Sequence, residues 1–543
     1  MSLGPYQARV ADRLRRWDEI EVPRRLWARD PTLWASSPLP ELANRLGWLA
    51  LPFAPSTLVD ALEALARQVR DEGVRDVLLL GMGGSSLAPE VCARTLTPAS
   101  GAPALTVLDT THPAAIRATA ARLEPAHTLV LVSSKSGTTT ETLALFRYFW
   151  DWSRAGGGAP GRRFIAMTDP QTPLARLAAA RRFRCTVTAP PDVGGRYSAL
   201  SVFGLVPAAL MGADVRGLLA GAREFAEAIG PGVPCADNPA LALGAALGEL
   251  ALAGRDKVTF LASPEVAALP VWVEQLLAES TGKDGRGLVP VVDEPWLDAG
   301  GYGTDRVFVV IGLAGATDTL EARAEALASA GHPVVRIGLD RVTQLGQEFL
   351  RWEVATAAAG MVLGIHPFTQ PDVQLAKDLA ARAMAHGASA DEVQEIAAEH
   401  AAAPEVLEAW LSGLREGEYV ALLAFLAPGP KTWASLQEIR ELLARRYRVA
   451  TTAGFGPRFL HSTGQLHKGG PNTGRFLQLV DQPADDVPVP GGRYSFGTLI
   501  QAQAAGDYQA LVQRGRRVLR LGLGRDAAAG LAQLLAGLRR RLG

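Results

Sequence analysis

The sequence predicts an α/β protein with two doubly wound parallel sheets and helical segments added at its N-terminal and C-terminal ends. Three observations carry that expectation. Short apolar runs alternate with helix-length segments, glycine- and hydroxyl-rich turns follow several of the runs, and the alternation comes in two separate series. Strands buried on both faces read as continuous apolar stretches, and helices between them make parallel crossovers. At 543 residues the chain is also too long for one core.

Residues 1–50 hold the helix QARVADRLRRWDEI and a lead punctuated by Trp and Pro. The first α/β unit is placed at 51–215. Its helix LVDALEALARQVRDEG ends on glycine and feeds DVLLLGMGGSSLAPEVCARTL, which reads as strand, glycine turn and helix. ALTVLD (104–109), HTLVLVSS (127–134), RRFIAMTD (162–169) and RCTVTAP (184–190) continue the series. A second unit, 216–380, carries DKVTFLAS, LVPVVDE, DRVFVVIGL and HPVVRIGL. Residues 352–415 read as helical and alanine-rich. The segment 381–543 is expected to be helical and glycine-rich, to pack on the second unit, and to add one strand at RRVLRLGLG.

Composition narrows the function. Lys plus Arg and Asp plus Glu number 55 each, and no basic stripe is visible, so the electrostatic footprint of nucleic-acid binding is missing. Cys92, Cys185 and Cys235 show neither disulfide nor metal spacing. The charged N-terminus lacks an apolar signal core, and no run is long and apolar enough for a membrane span, so the expected location is the cytoplasm and the expected partner a small molecule.

Only six of the basic residues are lysines: Lys135, Lys257, Lys283, Lys377, Lys431 and Lys468. In an arginine-biased chain, a lysine marks a place where a compact ammonium is wanted rather than a planar fork.

LVSSKSGTTTET, from Leu131, places hydroxyls, a glycine and Lys135 between an apolar strand and the helix start ETLALFRYF. Ligands of doubly wound sheets sit at the carboxyl ends of strands, and N–H groups with hydroxyls at a helix start suit a phosphate. Helix capping explains a lone TTTET equally well. The second glycine turn, GMGGSSLAPE (81–90), favours the anion site, although neither stretch matches the P-loop or dinucleotide spacing.

GMGGSSLAP and SKSGTTTET, together with GGRYSALSVFGL (194–205), QLLAESTGKDGRG (275–287), GIHPFTQPDVQLAK (364–377) and LHSTGQLHKGG (460–470), resemble the sugar-isomerase (SIS) fold and the phosphoglucose isomerase family. FGPRFLHSTGQLHKGGPNTGRFLQL is most similar to the isomerase half of fused transaldolase and phosphoglucose isomerase proteins. Lys135, Lys283, Lys377 and Lys468 all fall in these blocks.

The resemblance implies reversible isomerisation of glucose 6-phosphate and fructose 6-phosphate through ring opening and a cis-enediolate, with no metal or organic cofactor. By resemblance Glu279 moves the proton between C2 and C1, Arg196 stabilises the enediolate, and Gln275 orients substrate. Lys377, behind Gln370, and His461 are similar to the ring-opening groups, with His467 a competitor in the same loop. Gly84, Ser85, Ser134, Lys135, Ser136, Thr138 and Thr139 match the phosphate-binding positions. Glu141 reads as a loop cap, since a carboxylate facing phosphate would repel it.

His366, Thr369, Asp372 and Ala376 depart from the family pattern and put the shape of that loop in question. In ordinary members the histidine precedes the lysine and comes from a partner subunit. Here His461 follows Lys377, which leaves open whose site it serves and leaves a homodimer open. Two alternatives stand beside this reading: a dual phosphoglucose/phosphomannose isomerase, and a non-catalytic SIS sugar-phosphate-binding regulator. A glutamine-dependent aminotransferase needs a cysteine nucleophile at a mature N-terminus, which MSLGPY does not offer.

Overall fold

The computed structural model describes residues 1–37, 39, 41–315, 318–386, 396–397 and 404–542. The helical expectation over 352–415 is met at Leu345–Leu363, Val373–His386 and Pro404–Leu411; its parts at 387–395 and 398–403 lie outside the described residues.

The first sheet contains β1 (Asp76–Leu80), β2 (Ala104–Leu108), β3 (Thr128–Ser133), β4 (Phe164–Thr168) and β5 (Cys185–Thr188), all parallel, in the order β2-β1-β3-β4-β5. Central β3 and β4 are buried throughout, whereas β2 and β5 at the edges are half-exposed. The chain adds β2 on one side of β1 and β3 on the other, so β1 and β3 flank the switch point where ligands of such sheets bind. Leu80 lies opposite Val132, and the loops 81–86 and 134–139 therefore leave the sheet side by side.

The second sheet, β6 (Lys257–Ala262), β7 (Val289–Val291), β8 (Arg306–Leu313) and β9 (Val334–Leu339), has the order β7-β6-β8-β9. One apolar core joins the two sheets: Val77, Leu79 and Leu131 from the first and Val258 and Val309 from the second are buried in it with the helices between.

The segment 381–543 corrects the sequence expectation. It forms a third parallel sheet, β10 (Ile396–Ala397), β11 (Tyr419–Phe425), β12 (Ala450–Phe455), β13 (Gly474–Val480) and β14 (Arg517–Gly522), in the order β10-β14-β13-β11-β12. From β11 onward it repeats the winding of the other two, with the next strand on one side and the third and fourth on the other. Only β14 is expected from the sequence. YVALLAF carries the Ala/Leu composition of a helix, and ATTAGF reads as a loop. GRFLQLV is broken by Arg475 and Gln478, which a central strand accepts only when they are paired. Both are: Arg475 donates to Glu418 at 3.1 Å and to the Trp410 carbonyl at 2.7 Å, and Gln478 donates to the Ala504 carbonyl at 3.0 Å.

This third unit packs on both of the others, not on the second alone. Val487, Val489, Phe496 and Leu499 join the core around β1 and β3, while Leu423, Phe425 and Leu466 pack with Ala278, Val289 and Val291. Arg458 bridges Glu90 and Asp109 of the first unit. His112 Nδ1 accepts the Ala114 N–H, so its Nε2 carries a proton and donates to Asp481 at 3.0 Å.

Candidate active site

The three units meet around a cavity of about 940 Å³, and Ser85, Thr139, Arg196, Glu279, Lys377 and His461 all line it. Its residues thus come from every part of the chain that the sequence singled out.

At one end lie the two switch-point loops. Gly84, Ser85, Lys135, Ser136, Thr138 and Thr139 line the cavity. Ser134 does not: its hydroxyl pairs with Thr139 Oγ1 at 2.8 Å and accepts the Gly137 N–H at 3.1 Å, so it braces the loop from inside. Ser136 Oγ and Thr138 Oγ1 are 2.9 Å apart just before the helix Thr140–Ser153, whose N-terminal dipole favours an anion. Lys135 is ion-paired with Asp169, a wall residue at the carboxyl end of β4 that no sequence motif singles out. Burial raises the Asp169 pKa, against the pull of Lys135.

Two glycines hold these loops against their neighbours. Gly83 has φ +56°, and a Cβ on it would lie 2.8 Å from both the His461 carbonyl and Gln275 Nε2. A Cβ on Gly84 would lie 2.0 Å from the Gly195 carbonyl oxygen, in the loop that carries Arg196. Gly84→Ala is accordingly expected to destabilise the fold by about 1–3 kcal/mol, as overpacking typically does, and to weaken phosphate binding. Thermal unfolding and inorganic phosphate titration measure both, and an unchanged protein would show that the two loops are free to separate.

Glu279 lies near the end of the helix Leu269–Thr281 and is 6 % exposed. Gln275, one turn earlier on the same face, donates to Glu279 Oε2 at 3.4 Å and to the His461 carbonyl at 2.8 Å. Arg196 follows Gly194 and Gly195; its Nη1 is 3.4 Å from Glu279 Oε2, its Nε donates to Ser280 Oγ at 2.8 Å, and its Nη2 donates to the carbonyls of Pro367 and Thr369 at 2.7 and 3.0 Å. Burial pushes the Glu279 pKa up, more strongly than Arg196, His461 and the Gln275 hydrogen bond pull it down.

His461 comes from the turn after β12 and lies in the cavity of its own chain. Its Nε2 is 2.8 Å from Glu141 Oε1. Glu141 therefore orients this histidine, beyond the capping role the sequence suggests. Burial raises the Glu141 pKa, but the charge and hydrogen bond of His461, with Lys377 further off, leave it below the usual carboxylate value. Gln503, on the helix Phe496–Gln513, donates to the same Oε1 at 2.7 Å and accepts from Thr111 Oγ1 at 3.0 Å. Nothing in the local sequence around Gln503 announces this. The competing His467 is buried between the rings of Phe459 and Phe476, and burial pushes its pKa well down.

Gln370 and Lys377 line the cavity from the segment before, and the first turns of, the helix Val373–His386. Of the departures from the family pattern, His366 Nδ1 accepts the Phe368 N–H at 3.2 Å, and Asp372 is held by Gln465 through its N–H at 2.9 Å and its carboxylate at 2.7 Å. The altered loop is thus internally braced. Among the described residues no cluster of three His, Cys, Asp or Glu side chains is arranged to hold a metal ion.

The sequence comparisons converge on one group. The family model described as phosphoglucose isomerase matches residues 66–295. A glucose-6-phosphate isomerase of Rubrobacter xylanophilus is 32% identical over 388 residues, covering 61% of this chain and 87% of its own. A probable glucose-6-phosphate isomerase of Natronomonas pharaonis is 33% identical over 401 residues, covering 65% and 89%. Among solved structures, a hypothetical protein of Thermus thermophilus superposes with a TM-score of 0.59 at 28% identity, over 70% of this chain and 98% of that one. With the greater part of such relatives matched at this identity, the chain belongs to the phosphoglucose isomerase family.

Proposed function

We propose that this protein interconverts glucose 6-phosphate and fructose 6-phosphate. The observation that carries the reading is the shared cavity: a phosphate-type loop, a buried carboxylate beside an arginine, and a carboxylate-held histidine all open onto it. The sugar phosphate is held at the 134–139 loop, so binding energy at its remote end positions C1 and C2 for reaction. With Nε2 of His461 committed to Glu141, Nδ1 is the nitrogen left to exchange a proton during ring opening, aided by the Lys377 ammonium. Glu279 then removes the C2 proton and returns it to C1. The developing enediolate oxygen lies near Nη1 of Arg196, the other guanidinium donors being engaged by Ser280 and two carbonyls. Gln275 Oε1, buried and unpartnered, is the acceptor for a substrate hydroxyl.

The test is a coupled assay on purified protein. Fructose 6-phosphate should give glucose 6-phosphate, read as NADPH through glucose-6-phosphate dehydrogenase. Mannose 6-phosphate in a second arm separates a dual-specificity enzyme from a strict one. Binding of fructose 6-phosphate without turnover of either sugar would instead favour a sugar-phosphate sensor and sink the isomerase reading.

A further inference from the structure

Lys283 is one of the four lysines that fall in the family-like blocks, yet it is absent from the cavity wall and only 2 % exposed. It lies just past the end of the helix that carries Glu279. Its Nζ donates to the His366 carbonyl at 2.8 Å and to the Thr369 carbonyl, with Thr369 Oγ1 at 3.5 Å. Arg196 Nη2 takes the Pro367 carbonyl and shares that of Thr369. Three carbonyls of one short loop are thus turned inward onto two buried basic side chains. From the other side Gln465 ties Asp372 to the Gly282 carbonyl, at 2.7 and 2.9 Å, next to Lys283 itself.

The stretch 366–372 is therefore fixed at both ends relative to the Glu279 helix. Between those fixings the chain presents Gln370 to the cavity, and beyond them it starts the helix that carries Lys377. Burying an amine this deeply is unfavourable unless its donors are used. Burial, with Arg196 close by, pushes the Lys283 pKa down to about 6. Even the neutral amine keeps two N–H donors, matching the two carbonyls in reach. The compact head on its flexible stem brings both carbonyls onto one nitrogen.

We propose that Lys283 is a positioning residue for ring opening: by holding the His366 and Thr369 carbonyls it sets Gln370 and Lys377 in register with Glu279. The inference rests on the isomerase reading. Lys283→Met removes the tie to the His366 carbonyl and one of the two ties to the Thr369 carbonyl, without touching the phosphate loop or the base. Its expected effect is a fall of about 10²-fold in kcat, the scale of a 1 Å misplacement at a reacting centre. The anomerisation of glucose 6-phosphate, which needs ring opening alone and is read by NMR exchange, should fall in parallel. Affinity for 5-phosphoarabinonate, an open-chain enediolate mimic, should stay within about threefold, because the proposed phosphate loop and Glu279 are left in place. Lys283→Gln keeps two N–H donors on a shorter side chain, gives an intermediate loss, and serves if the methionine variant does not fold. Anomerisation at the wild-type rate in either folded variant overturns the proposal, as does a loss of analogue affinity as large as the loss of kcat. A wild-type protein that turns over neither sugar would instead fault the isomerase reading itself.

Discussion

Glu279→Gln should lower kcat for fructose 6-phosphate by about 10²–10⁴-fold, the range that a general base supplies, while 5-phosphoarabinonate still binds. The amide keeps the shape and the contact with Gln275 but cannot accept the C2 proton. The wild-type pH profile carries a linked expectation. Glu279 must be ionised to act, and burial holds its pKa above the ordinary 4.5. As pH falls, kcat/KM should therefore decline in a range where a surface glutamate is still fully ionised, and the glutamine variant should lose that limb. Turnover unchanged in the variant would falsify the assignment of Glu279 as the base.

His461→Asn is the second large effect. The substitution removes the ring proposed to exchange a proton and leaves Glu141 buried, with the Gln503 amide still donating to it. A loss of about 10²-fold or more on ring forms is expected, again the scale of one acid–base group. The small open-chain fraction of fructose 6-phosphate bypasses ring opening, so a rapid-mixing experiment should show it converted nearly as fast as in the wild type. Equal losses on both forms would make the His461 ring a structural group that pins the turn after β12 to Glu141.

The two ends of this site differ in how far they can be read from sequence, and the difference is physical. The phosphate end is local: a strand, a glycine or hydroxyl turn and a helix follow one another within twenty-odd residues, as in Thr128–Ser153. Glu279 and Gln275 are local too, one helical turn apart. The Glu141–His461 pair is not, since 320 residues separate its members, and neither side carries a mark of the other. Asp169 and Gln503 escape a sequence reading for the same reason: each gains its role only from a partner brought in by the fold. The third sheet is hidden differently. Its β13 carries Arg475 and Gln478 at buried positions, and partners distant in sequence, among them Glu418, Trp410 and Ala504, make that tolerable. Lysine scarcity points to Lys135, Lys377 and Lys468, which line the cavity, and to Lys283, which acts one layer behind it.

The long span between Glu141 and His461 also orders events during synthesis. The loops 81–86 and 134–139 leave the first sheet side by side, so the strands that place them are complete once β3 has been made. His461 arrives only when β12 has been made and the third unit has docked through Arg458 and Phe496. Contacts of such sequence separation form late, because loop closure must come before they reward it. The residues of the proposed phosphate end are thus made well before the residue proposed to open the ring, and any ligand that binds the folded first unit favours its folded state.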